Sequence, residues 1–549
     1  MTEDSRVVER RESFRPWAIL ALVCGISTLL LVVLGTRLTF FNDDWSFLLQ
    51  RPGLEGGSVW SPHNGQLVVG VDLTFKALVA AFGYAQLPFR LTLGLSVAAV
   101  GVAVYLLVAE RVGSLLGVAG ATVVIFLGPA WEDLLFFASI GPIVALASGL
   151  AALYAMEREG RGRDLAACAL LIVSVCFSGV GLAFVTASAV AVLVVRAKPL
   201  LLWIPGVPTV LYGIWTWVWG DPTSDLSVTN LEHLPRYLFE SASIGLASLT
   251  GLNHGPHRLL QGELLLAIAL VAVIVWVARG GRPSRWVAVP VTAAVAFWVL
   301  TGLSFVPGRE AIASRYQLID AALLIVIGAE LLRPFRPQAW QRAAVIGVTL
   351  LIVLSNVESL RAGFDFLDDE STFAKAETGA LEIARGHTSR DLEPTDLLTL
   401  RPNLLAITAG RYYDETIRHG DFAHLSPADI EAAPGDVREH ADSVLVAAYG
   451  IRPVPVPRSA GAKDCRGLAA GEKPAEIELR TGSTMVSNLG TAAVALSVGR
   501  FSPPDMPIGI GFLPAGETVA MTVPSDSVPR PWRLTVTGPS DVVICPSAG

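Results

Sequence analysis

The stretch Phe40-Phe41-Asn42-Asp43-Asp44-Trp45-Ser46-Phe47, FFNDDWSF, follows directly on the apolar run Ala18 to Thr36. About twenty apolar residues suffice to cross a bilayer, so two adjacent acids stand at the end of a first span. Arg6, Arg10, Arg11 and Arg15 precede that run, and no small-residue cleavage site precedes Asp43. The segment therefore reads as a retained span rather than a cleaved secretory signal.

Composition extends this reading to the rest of the chain. Apolar residues make up 52% and charged residues 16%, whereas soluble domains carry about 25% charge. Further apolar runs cover Leu91 to Val108, Leu115 to Ala130, Ile140 to Tyr154, Leu165 to Phe177, Val180 to Val195, Leu200 to Trp219, Leu264 to Ala278, Val287 to Phe305, Leu318 to Leu332 and Ala343 to Val357. With the first run they predict about eleven spans of an α-helical polytopic membrane protein. The net charge of −7 comes mostly from the acidic last third. There is no basic footprint for nucleic acid, and the expected surroundings are a lipid bilayer.

Lys and Arg resist translocation, so they mark the cytoplasmic loops. The N-terminal tail, Arg111, Arg158/Arg161/Arg163, Arg196 with Lys198, Arg279/Arg282/Arg285 and Arg333/Arg336 fall on one side. The other side then holds 40–89, 131–139, 221–262, 306–316 and everything after Val357. This predicts a multi-pass plasma-membrane protein with a cytoplasmic N-terminus, an extracytoplasmic C-terminal domain and the acids of NDDW facing outward.

Within the first outer loop, Leu67 to Phe82 is too interrupted by Asp72 and Lys76 to span, yet apolar enough to lie along the interface. Ahead of it, WSPHNGQL (Trp60 to Leu67) carries turn signals at Pro62 and Asn64-Gly65, with His63 expected back toward the acids. A span, an outer loop with an acidic pair, an interfacial helix, and then LPFR (Leu87 to Arg90) entering the next span together resemble the GT-C superfamily of membrane glycosyltransferases. The likeness extends to Trp131-Glu132-Asp133 in the second outer loop and to ASRY (Ala313 to Tyr316) before a late span. It implies a GT-C-like fold over roughly the first two-thirds of the chain. It also implies an acid of the first outer loop as base, and sugar transfer from a polyprenyl-phosphate donor to an envelope glycan, lipid or protein acceptor.

The chemistry asks for the same residue types. A carboxylate within hydrogen-bond reach can take the acceptor's hydroxyl proton, and one base suffices for single-displacement inversion. Asp43 is slightly preferred as that base, with Asp44 as an orienting or metal-contacting acid. A lipid phosphate leaves as a stable anion and needs mainly cationic stabilisation. Arg315 is the candidate for the donor phosphate, and Tyr316 for the adjacent wall. His63, Glu132 and Asp133 are candidates for acceptor or accessory contacts. A divalent cation is a possible cofactor; its ligands are not legible. The plainer readings are that the acids cap or solvate loop ends, that Arg315 is a snorkelling anchor and that His63 is a turn residue. His254 and His257 are separated by Gly255 and Pro256, which argues against a zinc-binding helical face. The segment 221–262 is readable as a lid, and Trp215, Trp217 and Trp219 as an interfacial belt.

After Val357 the periodicity changes. The predicted organisation is a membrane domain 1–357, a helical region 358–450 and a β region 451–549. Ser426-Pro427-Ala428-Asp429 reads as a helix start. Beyond it, AEIELR, TAAVALSVG, GETVAMTVP and WRLTVTG are short strands between turn residues, predicting a small β-sandwich. Cys465 and Cys545 are placed to close that region with a disulfide. No Walker A sequence, dinucleotide loop or nucleophile elbow occurs. The competing functions are a transporter or flippase of lipid-linked sugars and a non-catalytic envelope scaffold.

Overall fold

The computed structural model describes residues 3–546 except 52, 55, 221–226, 253, 254, 256, 334, 336, 337, 395–406, 458–464 and 470, and the side chains of 3–15, 56 and 471–473 are likewise not described. It forms two compact units. The first comprises Met1–Arg37, Arg51–Ala81 and Gln86–Leu367, and the second Leu38–Gln50, Phe82–Ala85 and Asp368–Gly549. The division thus falls ten residues beyond Val357 and draws two short pieces of the first loop into the C-terminal unit.

The first unit is helical. Among the described residues, seven helices are long and apolar enough to cross a membrane. An eighth is possible if Ser114–Ile125 and Gly128–Leu135, bent by 44°, form one broken span. These eight cover eight of the eleven apolar runs. The other three are helices as well, but Arg161–Phe177 and Val180–Val195 are short, and Ser314–Leu331 carries Arg315, Asp320 and Glu330. Large apolar residues such as Leu22, Leu264, Ile268 and Leu351 are exposed, as a lipid-facing belt requires. Between helices, hydroxyls bridge to backbone: Ser27 Oγ donates to Ile125 O at 3.1 Å and Thr28 Oγ1 to Gly94 O at 3.2 Å.

Some charges assigned to loops are instead packed inside. Arg111 is 1% exposed and ion-paired with Glu330 and Glu157, so that end of its helix is tied to two others. The helix predicted along the interface runs Val69–Phe82, and its inner face is buried: Asp72 pairs with Lys76, and Phe75 meets Phe137 with ring centroids 4.8 Å apart. The segment read as a lid contains the helix Leu234–Thr250, packed so closely that a Cβ on Gly245 would lie 2.7 Å from Leu324. His254 lies outside the described residues, and His257 is the N-cap residue of Arg258–Ala278.

The second unit begins within the long helix Ala339–Ile383 and continues through Ala409–His419, Pro427–Ala432 and Gly435–Tyr449. Ser426 and Asp429 close a reciprocal capping box. Among the described residues, nine strands follow. Strands β1 (Val454–Pro455), β7 (Thr518–Val523), β4 (Gly482–Asn488), β9 (Val542–Pro546) and β2 (Arg466–Leu468) form one antiparallel sheet in that order. Strands β3 (Gly471–Leu479), β8 (Trp532–Gly538), β5 (Val494–Gly499) and β6 (Ile508–Leu513) form the other. A disulfide joins Cys465 to Cys545 across 80 residues. Asp442 Oδ2 accepts the amides of Arg500, Phe501 and Ser502 at 2.6, 2.8 and 2.8 Å, fastening helix to sheet. Trp532 is 2% exposed, a core residue of this region.

Candidate functional site

Asp43 and Asp44 lie in the second unit, at the start of a three-residue helix, Asp43–Trp45. Asn42 adopts φ +46°, a left-handed conformation that Asn tolerates better than most residues. It reverses the chain so that Asp44 N donates to Phe41 O at 3.0 Å, while Asp44 Oδ2 accepts the Phe41 amide at 3.1 Å. Asp44 is fully buried; its carboxylate closes the turn. Asp43 is half-buried.

Aromatic packing within the same unit holds this turn. Trp45 is fully buried and lies 4.9 Å from Phe422; Phe40 lies 6.2 Å from it, and Tyr84 stacks on it at 3.7 Å. Tyr412 stacks on Phe422 from another side at 5.6 Å. Tyr84 Oη reaches Glu415 at 3.4 Å, and burial followed by the Glu415 charge pushes the phenol well above its usual range. Thr39 N donates to Ser371 Oγ at 3.1 Å. Gly83, at φ +60°, comes so close that a Cβ would sit 2.4 Å from His419 O. Phe422 is therefore the hub of the turn's support.

The remaining sequence candidates lie in the first unit. His63 and Gln66 exchange backbone hydrogen bonds at 3.1 and 2.9 Å around Asn64-Gly65, both at positive φ, a tight hairpin of the Asn-Gly kind. Arg51 donates to Ser61 O and Pro62 O at 2.9 and 2.7 Å, fixing the approach to it. Gln66 in turn accepts from Ser178 Oγ and Gly179 N at 3.1 and 3.0 Å.

Glu132 and Asp133 sit on the short arm after the 44° bend, in the helix Trp131–Leu135. Gly128, at the bend, lets the helix Ala339–Ile383 pass close by, since a Cβ there would strike Asn356 O at 1.8 Å. Glu132 meets the N-terminus of Ser314–Leu331: its Oε2 accepts the Arg315 amide at 3.0 Å, its Oε1 lies 3.3 Å from Arg315 Nη2, and its own amide donates to Ser314 Oγ at 3.0 Å. Arg315 remains exposed and Tyr316 half-buried, with Phe297 edge-on to the Tyr316 ring at 6.0 Å. Asp133 points inward, fully buried. Glu132, Arg315 and Asp320 are its charged neighbours, and the Leu318 amide supplies a favourable dipole.

Three residues of this region were not among the sequence candidates. Asp320 is 1% exposed and accepts from Trp298 Nε1 at 2.7 Å; Tyr237 and Tyr316 lie within its electrostatic reach. Its signal was present as an acid inside the apolar run 318–332. Trp298 and Tyr237 had none, because an aromatic residue in an apolar helix is unremarkable until its partner is seen.

Among the described residues, no group of three or more His, Cys, Asp or Glu is arranged to hold a metal ion. A divalent cation takes several oxygen ligands, whereas Asp44 is turned into its own loop and Glu132 is engaged by Arg315. Those two carboxylates are already engaged and do not offer such a ligand set.

No protein-family model matches the chain, and no curated protein does. Among solved structures it is similar to the arabinosyltransferase EmbB from Mycobacterium smegmatis, determined by single-particle cryo-EM, at 13% sequence identity and a TM-score of 0.31. The alignment covers 96% of this chain and 64% of that one, so the chain spans less than two-thirds of the length of its neighbour.

Proposed function

We propose that the protein is a membrane glycosyltransferase. In this reading it moves a sugar from a polyprenyl-phosphate donor to an envelope glycan, lipid or protein acceptor on the extracytoplasmic face. Asp43 takes the proton of the acceptor hydroxyl as that oxygen bonds to the anomeric carbon. The carbon–oxygen bond to phosphate breaks, its electron pair leaves on the lipid phosphate, and the configuration inverts. Arg315 steadies the phosphate with its planar fork. A phosphate at that helix N-terminus would share Arg315 with Glu132, which now lies there.

The observation that supports this most is the division of labour in the acidic turn after the first span. Asp44 is fully buried with Oδ2 on the Phe41 amide, and Asp43 is half-buried in a turn whose neighbours Phe40 and Trp45 pack on Phe422. A general base needs that combination of fixed position and access.

One observation favours transport of a lipid-linked sugar instead: Asp133 and Asp320 are acids buried among apolar helices, where ionisable groups often mark ion or substrate paths. Purified protein in lipid, given radiolabelled polyprenyl-phosphate sugars and envelope-glycan acceptors, separates the two. A new glycosidic bond is the expected result. Donor movement across the bilayer with no new bond, for every donor tried, would replace the enzyme reading with the transporter.

A further inference from the structure

A cavity of about 570 Å³ lies in the first unit, between the start of the helix Arg161–Phe177 and the start of the candidate span Pro199–Trp219. Arg161, Arg196 and Lys198 supply cations to its wall, and Glu159 and Asp164 supply acids. The acids are neutralised locally. Arg196, its side chain only 5% exposed, pairs with Asp164 at 2.7 Å, and Lys198 pairs with Glu159 at 2.7 Å in the open. Arg161 is exposed, with no ion pair among the described residues, and gives the pocket a net positive charge.

The backbone shapes this wall. The helix before it ends in a π-helical turn, Ala191–Val195, after which Arg196 N bonds to Ala191 O at 2.9 Å and Lys198 N to Val192 O at 3.1 Å. Ala197 is driven to φ +50°, a conformation costly for alanine. The tight reversal lets Arg196 turn inward to Asp164 while Lys198 stays at the mouth. Opposite, the Arg161–Phe177 helix begins at Gly160 with no side-chain cap.

Around the mouth the surface changes character at once. Leu200 is 91% exposed, Leu165 55%, Leu193 50% and Val194 54%, and Trp203 forms part of the pocket wall. A cationic cavity bordered by bare apolar side chains at the end of a span matches an amphiphile, with an anionic head inside and acyl chains alongside. A soluble anion would gain nothing from the apolar border. We propose that this pocket binds the phosphate-bearing head of an anionic bilayer phospholipid, on the face whose connections are rich in Arg and Lys.

The test is native mass spectrometry of the full chain in uncharged detergent, titrated with dioctanoyl phosphatidylglycerol, with dioctanoyl phosphatidylcholine and inorganic phosphate as the comparison ligands. Phosphatidylglycerol should bind about tenfold more tightly than phosphatidylcholine. The double variant Arg161→Gln/Lys198→Gln, changed only at exposed side chains, should lose at least about fivefold of that affinity. Glu159→Gln, which releases Lys198, should gain affinity, and it decides the matter even if the double variant folds poorly. Equal binding of the two lipids, unchanged affinity in the variants, or full competition by inorganic phosphate would each overturn the proposal, the last by showing a site for soluble anions.

Discussion

Two of the chain's adjacent acidic pairs, Asp43–Asp44 and Glu132–Asp133, are site candidates, and in each the second acid is fully buried while the first is half-buried. The resemblance ends at the partners. In the turn after the first span, the buried acid accepts the backbone amide three residues back, and the turn itself is flanked by a cluster of five aromatic rings. On the arm after the 44° bend, the half-buried acid is engaged by the N-terminus of another helix and by Arg315, and the buried acid lies near Asp320. Sequence proximity of two carboxylates therefore says little about their work; what each is tied to decides it. In the function proposed above, Asp43 is the acid that takes the proton, whereas Glu132 engages the N-terminus of the helix that presents Arg315.

The largest effect expected from probing this contrast is at Phe422, which supports the first pair and is remote in sequence from both. Phe422→Ala removes the ring on which Tyr84, Trp45, Phe40 and Tyr412 converge and should cost the second unit about 3–5 kcal/mol. Hydrogen exchange in 38–50 should accelerate, and Phe422→Leu should fall between. Unchanged exchange in that segment would show that the turn is held by something else.

Next in size is Arg315. Its pairing with Glu132 is exposed and contributes about 0–1 kcal/mol to folding, so Arg315→Ala should insert and melt like the parent. A lost charge-assisted hydrogen bond to phosphate is worth about 1.5–3 kcal/mol, so transfer should drop about 10- to 100-fold, with Arg315→Lys between. Normal insertion with unchanged turnover and donor dependence would reduce Arg315 to an interfacial anchor.

The smallest effect is a pH response that has to be kept apart from titration of the turn. Burial alone would raise the Asp526 carboxyl, but the Arg500 fork at 2.6 and 2.8 Å, the Tyr449 hydroxyl and the Val528 amide hold it below the usual carboxylate range. A carboxyl depressed by folding stabilises the folded state above its unfolded value, about 3.9, and that contribution is lost as pH falls through the folded value. Melting temperature should therefore drop below about pH 4, and Asp526→Asn should flatten that limb. An acid limb unchanged in Asp526→Asn would assign it to other carboxylates.

Much of this architecture was legible in the chain. Eight of eleven apolar runs became helices able to span, or halves of one broken span, because the bilayer imposes length and hydropathy directly. Ser426 to Asp429 capped a helix as read, and the four strand patterns overlap β3, β5, β7 and β8. Strands β1, β2, β4, β6 and β9 were missed: β1 and β2 are only two and three residues long, and in β4 and β6 GSTMVSN and IGIGFL are too rich in Ser or Gly to show a clear alternation. The docking of 38–50 could not be read, because it rests on contacts such as Thr39 with Ser371, 332 residues apart. Asp320 was overlooked for the opposite reason: its signal was local, but the surrounding run was read for its hydropathy alone.

The most direct test of the central claim compares the two half-buried acids by turnover per folded molecule, with donor and acceptor in excess. Asp43→Asn removes the base while keeping the shape of the turn, and should slow transfer by about 10²- to 10⁴-fold. Glu132→Gln keeps a hydrogen-bond acceptor at the N-terminus of Ser314–Leu331 and should slow it less than about tenfold, since a neutral acceptor forfeits only part of a charge-assisted bond. Full turnover in Asp43→Asn, or an equal loss in both variants, would contradict the account.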